Sequence, residues 1–272
     1  MSNPLALIGR GATYVALSLA AFVSVFPFFW MVVGSTNTNA DLIRGKSTFG
    51  DALWRNIEVF FTSADMPRVF FNSFFIAGVG TLLTLLISSL AGYGFEIFRT
   101  RMKERVFAVL LLMLSVPFAA LMIPLFILMA NLKLMNTYQA IILPSVASIF
   151  IIFYFRQATK AFPHELRDAA RIDGLKEWQI FLFVYRPVMR STYAAATIIV
   201  FMTHWNDFMW PLIVLQTNDM KTLPLVVATL SQGYTPDFAV VMVGSIFATL
   251  PTLIIFFLLQ RRFVEGMLGA VK

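Results

Sequence analysis

Six long apolar stretches set the terms for this chain: residues 11–33, 69–95, 106–130, 138–155, 191–215 and 239–259. About 20 apolar residues suffice to cross roughly 30 Å of hydrocarbon at about 1.5 Å per residue. Each stretch is apolar on all sides rather than striped, as a lipid-facing or bundled helix is. A single such stretch could be the buried core helix of a soluble protein. Six of them in 272 residues leave no polar remainder to cover such helices. Composition agrees, with 59% apolar and 13% charged residues, against about 25% charged in a soluble domain. The expectation is an all-α polytopic membrane protein with six transmembrane helices, forming a single transmembrane domain over 1–272. The first stretch is too long for the apolar region of a cleaved signal peptide and follows a single Arg10, so it reads as a retained helix.

Several function classes drop out. The chain has no cysteine and two widely separated histidines, His164 and His204, which leaves no plausible metal site and no thiol chemistry. Gly45-Lys46-Ser47 looks like the end of a phosphate-binding loop, but the first glycine of that motif would fall at Ala40. No catalytic constellation is evident. Asp207 and His204 lie on one predicted helix, without a third partner.

The net charge of +7 fits either nucleic-acid binding or basic loops at a membrane face. Its distribution decides. Arg99, Arg101, Lys103 and Arg105 crowd one loop, and Arg156, Lys160, Arg167, Arg171, Lys176, Arg186 and Arg190 another. Positive loops stay inside, which places these segments and both termini in the cytoplasm. The outward loops are then 34–68, 131–137 and 216–238. Cytoplasmic segments carry 15 basic and 7 acidic residues, outward ones 6 of each. The excess therefore records topology and lends no support to a nucleic-acid partner.

Within the cytoplasmic loop 156–190, Pro163 suits the first turn of a helix, and Glu165 and Arg171 complement its dipole. Gly174 sits where helices end in a left-handed residue. Trp178, Phe181, Leu182 and Tyr185 then recur as one apolar face, and Pro187 closes the second segment. The pattern predicts a helix, a sharp turn and a second helix, with Ala169 and Ala170 forming a smooth flank between acids. Patterning alone fits a solvated amphipathic loop equally well.

Asp207 is the one acid inside a predicted span. A mid-helix charge costs about 2.5–3.5 kcal/mol on insertion scales and usually faces a polar interior. Trp205, Asn206 and Trp210 surround it, and Pro211 can loosen the helix locally. Aromatic faces beside amide and carboxylate acceptors suit a sugar. The same residues also fit a gating or packing role.

The run Glu165-Leu-Arg-Asp-Ala-Ala-Arg-Ile-Asp-Gly174, with Pro187 beyond it, resembles the EAA loop of ABC-importer permeases. It departs at Asp168, Leu175 and Arg186. Asn72-Ser73, Ala91-Gly-Tyr-Gly-Phe95, Asn136-Thr-Tyr, Ile142-Leu-Pro144, the 205–212 run, Thr222-Leu-Pro-Leu225 and the tail from Gly266 resemble the maltose-type subunit of the carbohydrate-uptake branch.

The resemblance implies the ABC-importer permease fold in a prokaryotic inner membrane. It implies import of a sugar, polyol or oligosaccharide delivered by an extracytoplasmic substrate-binding protein. A second, usually non-identical permease subunit would complete the path among membrane lipid, and an ATPase homodimer or heterodimer would hydrolyse ATP. Such a chain is not itself an enzyme and binds no cofactor; ATP and Mg belong to the ATPase. Glu165, Asp168, Ala169, Ala170, Asp173, Gly174 and Pro187 would couple to that ATPase. Trp205, Asn206, Asp207 and Trp210 would line the path. Ser231, Gln232, Gly233 and Tyr234 would meet the binding protein, and Gly269, Ala270, Val271 and Lys272 the ATPase. The alternative is an ion-driven secondary transporter, a class marked by internal repeats, broken helices and more ionisable groups within the membrane.

Overall fold

The computed structural model describes residues 4–232 and 236–269, and regular structure among them is entirely helical. The chain divides into two compact units, Met1–Met66 with Val226–Thr249, and Pro67–Leu225 with Leu250–Lys272.

The first unit opens with α1 (Pro4–Ser35), followed by α2 (Asn39–Ile43) and α3 (Leu53–Thr62). The most apolar stretch of α1 is not covered by the rest of the chain. Asn56 is fully buried and donates through Nδ2 to the carbonyls of Ser35 and Asn37, both at 2.8 Å, tying α3 to the end of α1. Phe60 stacks on Phe247 with ring centroids 5.7 Å apart. Gly244 allows that approach, because a Cβ there would lie 2.8 Å from the Phe60 ring.

The second unit is built on α4 (Met66–Ile97). After it come α5 (Arg101–Met113), α6 (Phe118–Asn131), α7 (Tyr138–Ile142) and α8 (Ile149–Thr159). Next are α9 (His164–Ile172), α10 (Glu177–Ile180), a π-helical turn over Phe181–Tyr185, and α11 (Arg186–Val188). Then α12 (Arg190–Trp205), α13 (Met209–Val214), a 3₁₀ turn over Asn218–Met220, α14 (Leu223–Ser231) and α15 (Phe238–Gly269) complete the order.

Among the described residues, three helices are long and apolar enough to cross a membrane: Thr13–Ser35 within α1, α4, and Phe238–Arg261 within α15. The other three predicted spans are not continuous, and each interruption has a proline beside it. The 106–130 span bends by 102° between α5 and α6, where Pro117 is extended at φ −66°, ψ 139°. A residue before proline is pushed out of the helical region, so no helix can run on through Val116, and α5 ends at Met113. The 138–155 span breaks at Leu143–Ser148, around Pro144. The 191–215 span breaks at Asn206–Phe208. Pro211 lacks an N–H, and its ring would strike the carbonyl four residues back, which belongs to Asp207. Asp207 therefore sits in a break, not in mid-helix. Hydropathy reads apolarity and is blind to these corners.

Candidate coupling loop and transport site

The 156–190 loop folds as its local signals dictate. Pro163 precedes α9, with Glu165 in the first turn and Arg171 in the last. Gly174 adopts φ +84°. Its N–H bonds to the Arg171 carbonyl and the Leu175 N–H to that of Ala170, both at 3.0 Å. That pair of bonds is the Schellman closure of a helix, and it needs a left-handed residue at the glycine.

Glu177 then clasps α9 from the following helix. It accepts from Arg167 Nη2 at 3.0 Å and from Arg171 Nε at 2.8 Å. Burial raises the Glu177 carboxyl, but the Arg171 and Arg167 guanidiniums prevail and hold it below the usual carboxylate range. Tyr93 on α4 donates to the same carboxylate at 3.3 Å. Beneath, Tyr185 packs against Tyr93 at 4.8 Å and Phe162 at 5.3 Å, and its hydroxyl lies 2.7 Å from Thr159 Oγ1. Burial pushes the Tyr185 phenol well up.

Two details of the second helix depart from expectation. The apolar face is not Trp178–Phe181–Leu182–Tyr185, because Trp178 is 57% exposed and Leu182 is also exposed, while Ile180, Phe181, Tyr185 and Met189 are buried. The π turn holds one extra residue per turn and rotates the buried face. Pro187 does not end the helical run either; α11 carries it to Val188. On α9, Glu165, Asp168 and Ala169 are exposed together, and Asp173 is exposed beyond them. Ala170 is buried, so the smooth flank presents Ala169 alone, beside Leu166 and Ile172, which is 87% exposed.

A charge cluster that sequence reasoning missed lies next to this loop. Arg156, at 4% side-chain exposure, donates through Nε to Glu96 at 3.2 Å and through Nη2 to Glu104. Its guanidinium carbon sits 4.0 Å from the Phe107 ring centroid. Arg99 joins both carboxylates, at 3.5 and 3.4 Å. The hydrogen bond from Arg156 holds the Glu104 carboxyl below its ordinary range. Glu96 and Arg156 each border an apolar stretch and counted as loop charges; nothing local in the sequence signals a pair 60 residues apart.

At the 206–208 break, Asp207, one residue before the N-cap Phe208 of α13, accepts hydrogen bonds from the backbone N–H groups of Trp210 and Phe208. Trp205 is buried against Phe74 at 4.8 Å and Phe201 at 5.7 Å. Trp210 is also buried, donating Nε1 to the Ala140 carbonyl at 2.8 Å. Asn206 is exposed. The four residues are thus adjacent but face different surroundings.

At the other end of α4, Asn72 holds the segment after α13. It donates to the Asp219 and Lys221 carbonyls, both at 2.9 Å, and accepts from the Tyr138 hydroxyl at 2.7 Å. Ser73 accepts from the Leu223 N–H at 2.8 Å. Asn136, left-handed at φ +59°, accepts from the N–H groups of Gln216 and Thr217. The motif residues Asn72-Ser73 and Asn136 thereby acquire a structural task. Ser231 and Gln232 are exposed at the end of α14. Gly233, Tyr234, Ala270, Val271 and Lys272 lie outside the described residues, and Gly269 is the last residue of α15.

The sequence over residues 98–269, which spans the charge cluster, the loop and the 206–208 break, matches the family of binding-protein-dependent transport system inner membrane components. The chain belongs to that family. It is therefore a membrane permease component of a binding-protein-dependent transport system. It is 66% identical over 259 residues to the lactose transport system permease protein LacG of Rhizobium radiobacter, covering 95% of each chain. It is 37% identical over 264 residues to the arabinooligosaccharides transport system permease protein AraQ of Halalkalibacterium halodurans, again covering 95% of each. A solved bacterial ABC transporter involved in the import of the acidic polysaccharide alginate contains a similar chain, with a TM-score of 0.82 at 19% identity over 97% of this chain and 99% of that one. That likeness gives this permease the ABC-importer permease fold.

Proposed function

We propose that this permease is one transmembrane subunit of an ATP-driven sugar importer in a prokaryotic inner membrane. The α9–α10 unit carries the proposal. It is closed on itself by the Gly174 turn and the Glu177 clasp, and it leaves Leu166, Ala169 and Ile172 uncovered. A rigid apolar knob rimmed by Glu165, Asp168 and Asp173 suits a cleft in an ATPase subunit, and it can pass a rigid-body movement on through Tyr93 and Tyr185. Gly174 and Pro187 set its two ends. ATP and Mg would be held by that ATPase pair and no cofactor by this chain. An extracytoplasmic binding protein delivers the sugar, near Ser231–Tyr234. The names of the lactose and arabinooligosaccharide relatives favour a saccharide.

In this arrangement α1, α4 and α15 each span the bilayer, and the broken pairs α5–α6, α7–α8 and α12–α13 supply the other three crossings. Both termini lie in the cytoplasm, following the basic loops. Trp205, Asn206, Asp207 and Trp210 form and brace the turn at which the fifth crossing meets the path. A second, non-identical permease subunit completes the path, and the tail 269–272 reaches the ATPase. The interrupted spans match one mark of ion-driven transporters, but family membership and the α9–α10 knob favour ATP. The test is lactose uptake by the assembled importer in vesicles. It should require ATP and the binding protein. Uptake driven by an ion gradient without the ATPase would overturn the proposal.

A further inference from the structure

Within the second unit, the corner between α5 and α6, the α7–α8 connection and the α12–α13 break enclose a cavity of about 510 Å³. That lies within the roughly 300–1,000 Å³ of small-ligand sites. We propose that this cavity is a binding subsite for one unit of a neutral saccharide, so that this subunit touches the transported molecule itself. The inference rests on the sugar-importer role above and narrows it.

Three features of the lining carry it. Phe118 and Phe150 border the cavity with half of each ring exposed. Their negative π-faces suit the C–H face of a sugar ring. Trp205, predicted for this task, does not line the cavity, and Trp210, which does, is almost wholly buried.

The polar wall is Thr84, Ser145, Ser148, Thr203, His204 and Asp207. An acyl chain would gain nothing from these groups, whereas sugar hydroxyls can both donate to and accept from them. Asp207 gives part of its acceptor capacity to the N–H groups of Phe208 and Trp210, and a carboxylate has about four acceptor positions. Capacity for hydroxyl donors therefore remains.

His204 is fixed in place before any ligand arrives. It is 7% exposed, bonds to the Gly80 backbone, and its Nε2 is 3.4 Å from Thr84 Oγ1. Gly80 permits this, since a Cβ there would lie 2.9–3.1 Å from the imidazole. A site held by its supporting contacts loses less freedom on binding.

Charge selects the class. The lining holds one carboxylate and no lysine or arginine. A sugar phosphate or sugar acid would meet an uncompensated negative group among mostly apolar walls, where repulsion is less screened than in bulk water. The subsite thus accepts neutral sugars and rejects anionic ones.

The absence of cysteine makes a direct test possible. Thr203→Cys and Phe150→Cys, each at the cavity mouth, would be introduced singly into the full importer in nanodiscs. Leu212→Cys, exposed and off the lining, is the control. Labelling by a small thiol reagent is followed with lactose or sn-glycerol 3-phosphate present. Lactose should slow labelling at 203 and 150 in proportion to occupancy, by about tenfold when its concentration is about ten times its dissociation constant. It should leave 212 unchanged, and the phosphate should protect none. If lactose stimulates ATP hydrolysis and uptake while 203 and 150 stay unprotected, this inference falls and the sugar-importer role stands. Equal protection by the phosphate overturns the neutral-sugar selectivity. If lactose neither stimulates hydrolysis nor enters, both the role and the inference fall.

Discussion

Where α4 ends at Glu96, the packed elements are laced by charge; near its start, at Asn72, they are laced by neutral amides and hydroxyls. Arg156 binds Glu96 and Glu104, and Glu177 gathers Arg167 and Arg171. At the other end Asn72, Ser73 and Asn136 hold the 216–223 segment through its backbone groups, and the Tyr138 hydroxyl braces Asn72. Ion pairs tolerate small changes in distance and angle, whereas amide-to-carbonyl bonds demand direction. The charged end can therefore keep its contacts through small displacements. The amide end fixes a loop in one shape. Only the charged end should respond to salt and acid.

The comparison can be broken most forcefully at Arg156. Arg156→Met leaves the buried Glu96 with only the exposed Arg99 at 3.5 Å, which should cost about 3 kcal/mol, the low end for a broken buried pair, read as a large fall in the melting temperature of the purified complex. Adding Glu96→Gln should recover part of the loss. Full stability of the single variant would show that the buried cluster is not what joins α4, α5 and α8.

Asn72→Leu comes next. It strands the Asp219 and Lys221 carbonyls and the Tyr138 hydroxyl, at about 2–3 kcal/mol. The loss should be the same in low and high salt. A strong salt dependence would contradict the neutral character of this end.

The smallest effect belongs to Glu177→Gln, a partly exposed clasp worth about 1 kcal/mol or less and weakened by salt. Its acid dependence has a definite sign. The Glu177 carboxyl lies below its ordinary value in the fold. Its contribution is thus complete above the unfolded value of about 4.3 and fades as pH falls through the lower folded value. The protection of the α9 amides, after correction for the pH dependence of intrinsic exchange, should be unchanged between neutral pH and pH about 5, then fall below about 4 in wild type but not in the variant.

What the sequence disclosed follows the same divide between local and distant causes. The α9 helix and its Gly174 turn were legible because a proline, two dipole-matched charges and one glycine suffice to specify them. The buried face after them was misread because the π turn at 181–185 answers to packing around Tyr185 and leaves no mark in the residue spacing. The spans at 106–130, 138–155 and 191–215 were found as apolar segments but not as broken ones. Pro117, Pro144 and Pro211 were the available signals, and Pro211 pointed straight at Asp207. The Arg156–Glu96 pair and the His204–Gly80 contact join distant segments, so no local pattern carried them.

The central claim, that the 162–187 unit couples ATP hydrolysis to transport, is tested most directly at Gly174. A Cβ there would meet nothing within 4 Å in this chain, yet the residue sits at φ +84°. Gly174→Trp therefore places its bulk in open space, where the proposed ATPase partner would dock, at a backbone cost of about 1–2 kcal/mol for a non-glycine residue in that conformation. Hydrolysis and sugar uptake would be measured together in the reconstituted importer carrying this substitution. The account predicts an inserted, assembled complex that still hydrolyses ATP but has lost most of its uptake. Uptake at the wild-type rate per ATP would contradict it.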